Sequence, residues 1–200
     1  MRKIILGGKD LHSLSDIEII EKINLWDHVA FEIIYDRYNK PLYNYIWTLL
    51  NFNSEEAGLV LSEVFIKAFE YTKNKKIDNL KSLLYRIAHN TAIDRIRKNQ
   101  NQEIAIGDES TNYKDPQDKI EKEKIDTNYK IKLMKKYLSM LDEKYRSVLY
   151  LVYYQDKSYD EIALIQNSNK NSIGTLVLQG KKKLKEIMIN DGIDPDIFAV

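Results

Sequence analysis

The sequence predicts an all-α fold of two helical domains joined by a flexible acidic linker. Three observations predict it. Apolar residues recur at helical rather than alternating spacing in nearly every ordered-looking segment. Two capping boxes, Ser15-Asp16-Ile17-Glu18 and Ser158-Tyr159-Asp160-Glu161, mark helix starts, since each Ser hydroxyl can accept from an early amide while the Glu reaches back. Between them, residues 101–126 hold Gly107, Pro116, many amides and acids, and little that suits a core. The expected division is a first helical domain over 1–100, the linker over 101–126, a second helical domain over 127–190 and a tail over 191–200.

Taken in order, Ile17, Ile20 and Ile23 follow the first capping box as a short amphipathic helix. A second helix starts near His28 and carries Phe31, Ile34, Tyr35 and Tyr38 towards Pro41. That proline either kinks the helix or starts the next one, the aromatic-rich stretch to Leu50. Ser54 opens a helix through Leu61, Val64, Phe65 and Phe69, and the polar loop at 72–79 precedes another over 80–98. Beyond the linker, Ile131, Met134, Leu138 and Leu141 face inward on a Lys-rich helix, and Asp142 is placed to cap the next. The second capping box then begins a short helix, a polar turn over 166–171 and a last helix from about Ser172 to Met188. Short helix, tight turn and second helix make a helix-turn-helix candidate.

A chain of 200 residues with 44% apolar residues can supply one medium core or two small ones. The net charge of +1 favours no partner, but its distribution does. From Lys73 to Lys98 there are eight Lys or Arg against Asp78 and Asp94. From Glu103 to Asp126 there are eight acids against four lysines. With no cysteine, disulfides and thiolate metal sites are excluded, which fits a reducing compartment. The longest strongly apolar run, Val148 to Tyr154, is too short for a bilayer, so a cytoplasmic protein without membrane insertion is expected.

The helix at 80–98 is the most informative stretch. An apolar stripe (Leu80, Leu83, Leu84, Ile87) runs beside Arg86, His89, Asn90, Arg95, Arg97 and Lys98. Such a helix packs on a domain while offering guanidinium groups and an amide to phosphates and bases. Upstream, Lys73, Lys75 and Lys76 suit phosphates, and Asn79 suits a base edge. No enzyme is expected. Gly7-Gly8-Lys9-Asp10 lacks the spacing of a phosphate loop, and His12, His28 and His89 have no i, i+4 pairing with one another and no cysteine to join them. No metal or cofactor is expected.

Several segments together resemble RNA polymerase sigma factors of the extracytoplasmic-function (ECF) type. They are Ala30 to Tyr38, Glu63 to Phe69, Leu84 to Arg97 and Ser158 to Ala163. The resemblance covers roughly 14–100 and 135–188 and implies a region 2 bundle followed by a region 4 helix-turn-helix. It implies core RNA polymerase and promoter DNA as partners, with an anti-sigma factor as a candidate. It also implies a polymerase-docking surface on the helix carrying Leu59, Ser62, Glu63, Ile66 and Lys67. Recognition and melting of the −10 element would fall to Lys73, Lys75, Lys76, Asn79, Arg86, His89, Asn90, Arg95, Arg97 and Lys98. Melting needs a surface that prefers unpaired bases, which cations and a base pocket provide.

Two departures from the family pattern stand out. Gly58, Leu59 and Ser62 replace the usual acidic pair and Gln of the docking helix, and only Glu63 is kept. In the recognition helix, Gly174 and Leu176 stand where Lys and Arg are usual. Lys181, Lys182, Lys183 and Lys185 remain for weak upstream contact. A good bidentate base contact discriminates by about 1–3 kcal/mol, so their loss predicts weak −35 reading. An accessory DNA-binding protein or nucleoprotein complex is then expected to help, through Leu176, Leu178 or Phe198 in the tail. The alternatives are a degenerate sigma-like adaptor and a stand-alone helix-turn-helix regulator.

Overall fold

The computed structural model describes residues 5–6, 9–10, 14–16, 18–19, 28–72, 77–106 and 125–195. Ile5–Leu6 (β1) pairs antiparallel with Lys9–Asp10 (β2), with Ile5 opposite Asp10. This two-residue ladder aside, the described residues are helical with short turns. The helices are α1 (His28–Leu49), α2 (Ser54–Thr72), α3 (Leu80–Ile106), α4 (Ile125–Ser139), α5 (Glu143–Tyr153), α6 (Tyr159–Ile165) and α7 (Lys170–Asn190). None is long and apolar enough to cross a membrane.

Local chemistry explains most boundaries. Ser15 and Glu18 form the expected box: the Glu18 amide donates to the Ser15 hydroxyl at 3.3 Å, and the Ser15 amide donates to Glu18 Oε2 at 2.8 Å. Arg37 and Tyr38 both donate to Asp16, and Arg37 Nη2 donates to the Leu14 carbonyl at 2.8 Å, which ties this turn to α1. Pro41 lies inside one continuous helix and neither ends nor begins an element. The first turn of α2 is capped by Asn53, whose Oδ1 accepts from the Glu56 amide at 3.1 Å. The box at Ser158 forms as expected, and its backbone bond to Glu161, helped by Lys157, holds that carboxylate down at about 2. Asp142 sits at the N-cap of α5, but its side chain makes no cap bond and approaches Lys183 instead.

Two boundaries differ from expectation. α3 runs to Ile106, into the stretch read as linker, and α7 starts at Lys170 because Asn169 accepts from the Ser172 amide. The residues between Ile106 and Ile125, the heart of the acidic linker, lie outside the described residues.

The buried side chains form one contiguous core rather than two. In the first unit Leu42, Ile46, Val60, Val64, Leu84 and Ala88 are sealed between α1, α2 and α3. In the second, Leu151, Ile162 and Ile173 join α5, α6 and α7. α1 also packs on α5 and α3 on α6, so apolar burial continues across the junction between the units. Seven consecutive residues of α5, Tyr145 to Leu151, are buried, because this helix is covered on every side.

Candidate nucleic-acid interface

α3 is placed by its start. Asn79 caps it, with Oδ1 accepting from the Ser82 amide at 2.9 Å, and Ile77 anchors the approach in the core. The Asn79 Oδ1 is therefore held at the helix start, and its amide NH2 is the donor left for a base edge. Tyr85, Leu84, Ala88 and Ala92 face inward, and Arg86, Asn90, Arg97 and Lys98 are exposed along the opposite side. Asp94 shares that side and approaches Arg97 at 3.9 Å, both side chains more than two-thirds exposed. Lys73, Lys75 and Lys76 lie outside the described residues.

Two of the expected DNA contacts point elsewhere. Arg95 is drawn to α2, with Nη1 at 3.3 Å from Glu56 and Nη2 at 3.8 Å from Glu63. His89 is half-buried, with Nδ1 at 2.9 Å from the Tyr45 hydroxyl and its ring stacked on Tyr45. Burial, with the nearby Arg97 charge, lowers the imidazole to about 4. A ring that is neutral at pH 7 forms no ion pair with phosphate.

The outer face of α2 is the second feature. Leu59 and Ile66 are more than half exposed, one on each side of an exposed Ser62 whose hydroxyl donates to the Gly58 carbonyl. Glu63 and Lys67 flank this stripe and pair at 2.8 Å, and Lys67 also donates to the Thr91 hydroxyl of α3. The arrangement offers an apolar stripe with a compensated charge pair at its edge. Such a surface suits a protein partner better than a polyanion.

The helix-turn-helix expectation holds in geometry. The turn between α6 and α7 has Asn167 in the left-handed region at φ 49°, and Lys170 bridges back to Asp160 at 2.7 Å. On α7, Thr175 and Leu178 are exposed together with the lysines. Lys181 lies over the Tyr153 ring, Lys182 approaches Glu186, and Lys183 lies over Tyr145 beside Asp142. Leu176 is half-buried against the core, so of the apolar pair assigned to a partner only Leu178, 71% exposed, is presented outward. Phe198 lies outside the described residues.

The glycines of α7 have a packing reason that propensity does not show. A Cβ on Gly180 would lie 3.3 Å from Leu149 and from the Tyr145 Cβ, tighter than ordinary contact, so α7 and α5 pack closely around the place of the missing atom. At Gly174 a Cβ would meet the Tyr159 ring in ordinary contact at 3.5 Å.

Family comparisons agree with this layout. Sigma-70 region 2 matches residues 34–102 and Sigma-70, region 4 matches residues 131–184. The chain belongs to the ECF-type RNA polymerase sigma factors. Among curated relatives from Bacillus subtilis (strain 168), it is 29% identical to the ECF RNA polymerase sigma factor SigW over 183 residues. That match spans 84% of this chain and 93% of SigW. It is 23% identical to the ECF RNA polymerase sigma factor SigM, over 84% of this chain and all of SigM. The fold is shared with CnrH, solved in complex with the cytosolic domain of CnrY (TM-score 0.63, 17% identity, 88% of this chain and 98% of that one). It is also shared with the sigma factor RpoE of Bartonella quintana, solved with the anti-sigma factor NepR (TM-score 0.60, 20% identity, 79% and 96%). In this sigma factor the region 2 match falls on α1 to α3 and the region 4 match on α4 to α7.

Side chains at the junction of the two regions were not singled out from the sequence. They include Tyr45, Arg146, Ser147 and Gln155, and their partners are 70 to 102 residues away along the chain. Only Arg146 carried a local signal, a cation embedded among Tyr145, Val148 and Leu149 where a solvated charge is out of place.

Proposed function

We propose that this sigma factor is the promoter-specificity subunit of RNA polymerase, docking through the exposed stripe of α2 and opening the −10 region with the exposed edge of α3. One observation carries the reading. α3 buries one side in region 2 while Arg86, Asn90, Arg97 and Lys98 stay exposed on the other, one helix away from the Leu59–Ser62–Ile66 stripe. Cations on a rigid helix hold backbone phosphates, and the Asn amide can pair with a base once it is unstacked. The chain itself performs no bond chemistry in this scheme; polymerase does. Within region 2, Arg95 and His89 act as positioning groups rather than DNA contacts.

Upstream contact rests on Lys181, Lys182 and Lys185, which neutralise phosphate without reading sequence. An accessory DNA-binding protein that contacts Leu178 supplies the missing specificity. The solved complex of RpoE with the anti-sigma factor NepR supports an anti-sigma factor as a further partner.

The test is co-purification with core polymerase followed by transcription from duplex and premelted templates. Arg86→Ala and Asn90→Ala should retain core binding, lose transcription from duplex by roughly tenfold or more each, and recover on the premelted template. Equal activity of the variants on both templates overturns the melting role. A chain that binds core but never opens duplex DNA is the degenerate adaptor, a reading that the exposed Leu178 on α7 favours.

A further inference from the structure

α3 outruns the body it packs on. Ile96 is the last of its apolar side chains set against the core among the described residues, and the helix continues from there to Ile106. At about 1.5 Å per residue that is roughly 15 Å of further helix. The run at its base, Lys98-Asn99-Gln100-Asn101-Gln102, is cationic and amide-bearing with no acid. Gln100 and Asn101 are exposed, and neither side chain makes a hydrogen bond among the described residues. Asn disfavours a helix interior because its amide competes for backbone groups, yet α3 carries Asn99 and Asn101 without a break.

Asn101 also extends the row of side chains assigned to DNA. Arg86, Asn90, Arg97 and Asn101 follow spacings of four, seven and four, which places them within about 60° of one another around the helix. Gln100 borders that row. Asp94 is the acid on the same face, and Arg97 stands 3.9 Å from it. Arg97 and Lys98 supply cations for phosphates at the base of the overrun. Asn101 sits about 16 Å along the axis from Asn90, the span of about five stacked base pairs.

We infer that the overrun of α3 lies in the major groove of the paired DNA directly upstream of the opened segment, where Asn101, with Gln100 beside it, reads adenine. This rests on the proposed function, which gives Asn90 the unstacked base. Region 4 follows α3 in the chain and takes the upstream contact, so the C-terminal end of α3 points upstream. A helix with its side chains is about 10–12 Å across and the major groove about 12 Å wide, so the overrun enters without deforming the duplex. An Asn carboxamide matches adenine there: its nitrogen donates to N7 and its oxygen accepts from the N6 amino group. With Gly174 and Leu176 in place of base-reading side chains on α7, a discriminating contact beside the opening bears on promoter choice. The partner at Leu178 acts on the other region and is independent of it.

Barcoded duplex templates, randomised upstream of the start site and transcribed by holoenzyme made from core polymerase and the full chain, test this. Permanganate marks unpaired thymines and so locates the opened segment. The unmutated factor should enrich adenine, by roughly tenfold, at one or two paired positions about five pairs upstream of the base met by Asn90. Asn101→Ala should erase that enrichment while core binding and preferences inside the opened segment stay unchanged. The position is exposed and Ala is a better helix former, so the variant keeps its fold. Asn101→Arg should exchange adenine for guanine, whose O6 and N7 accept from a guanidinium. Replacing the enriched adenine with 7-deazaadenine should weaken transcription several-fold with the unmutated factor and leave Asn101→Ala unaffected. Adenine enrichment that survives Asn101→Ala combined with Gln100→Ala, or a uniform loss with no change in base preference, overturns the inference. Loss of core binding by Asn101→Ala overturns it too, since the overrun then meets polymerase. A library in which core is bound but no duplex opens sinks the melting reading and this inference together, which sets that failure apart from the others.

Discussion

Arg95 on α3 reaches Glu56 on α2 at 3.3 Å, joining the helix with the basic edge to the helix with the exposed apolar stripe. Glu63, on the same side of α2 as Glu56, adds a second and longer contact at 3.8 Å. A guanidinium shared by two carboxylates fixes the angle between the two helices, and with it the spacing of their outer surfaces.

Arg95→Ala should therefore act on stability before it acts on DNA. These side chains are about one-quarter exposed, and the loss is about 1 kcal/mol, or 2–4 °C in a thermal melt for a chain of this size. Arg86→Ala, on the exposed edge, should leave the melting temperature within about 1 °C. Equal thermal effects from the two variants would contradict the assignment.

The glycines predict opposite signs. A Cβ on Gly58 meets nothing within 4 Å, so Gly58→Ala should stabilise α2 by about 0.5–1 kcal/mol through helix propensity alone. A Cβ on Gly180 is pressed against Leu149 and Tyr145, so Gly180→Ala should destabilise by about 1–3 kcal/mol through overpacking. Denaturant midpoints of the two variants check both signs.

Acid should weaken the fold through His89. The imidazole titrates near 6.5 when unfolded and near 4 when buried beside Tyr45 and Arg97. Between those values the unfolded chain binds the extra proton, so stability rises with pH across this window. The contribution is full above about pH 6.5 and lost as pH falls towards 4, on the order of 2–3 kcal/mol. His89→Gln should flatten the stability profile over that interval, as chemical denaturation at several pH values would show.

Ser158→Ala tests the capping box of α6. It removes the hydroxyl that accepts from the Glu161 amide and should cost about 0.5–2 kcal/mol, most of it at the start of this helix. Amide exchange confined to faster opening around residues 158–163, with region 2 unchanged, is the expected signature.

Helix existence, both capping boxes and the basic character of 80–98 were legible in the chain because each depends on neighbours within about four residues. The side chains of α3 divide differently. Periodicity places Tyr85, His89, Arg86 and Arg95 on one helix, but whether each meets solvent depends on α1, α2 and α6. The structure leaves Arg86 exposed, gives Arg95 to Glu56, puts His89 under Tyr45 and buries Tyr85 beneath Gln155. Gly180 shows the same limit. Counted alone it is a weak helix residue, while beside Leu149 its missing Cβ allows close packing.

By itself the sequence determined that this protein is of the all-α class, that it resembles a two-region sigma factor, and that cations outnumber acids over 73–98. Those properties follow from spacing, caps and composition, which act locally. Only the tertiary structure decided which of those cations remain available and how the two regions meet. Arg146 and Leu49 are 97 residues apart, and no local pattern pairs a buried guanidinium with a helix end at that distance. Burial brings them together, because Arg146 finds only two long bonds to carbonyls of its own region and the last carbonyl of α1 offers a shorter one.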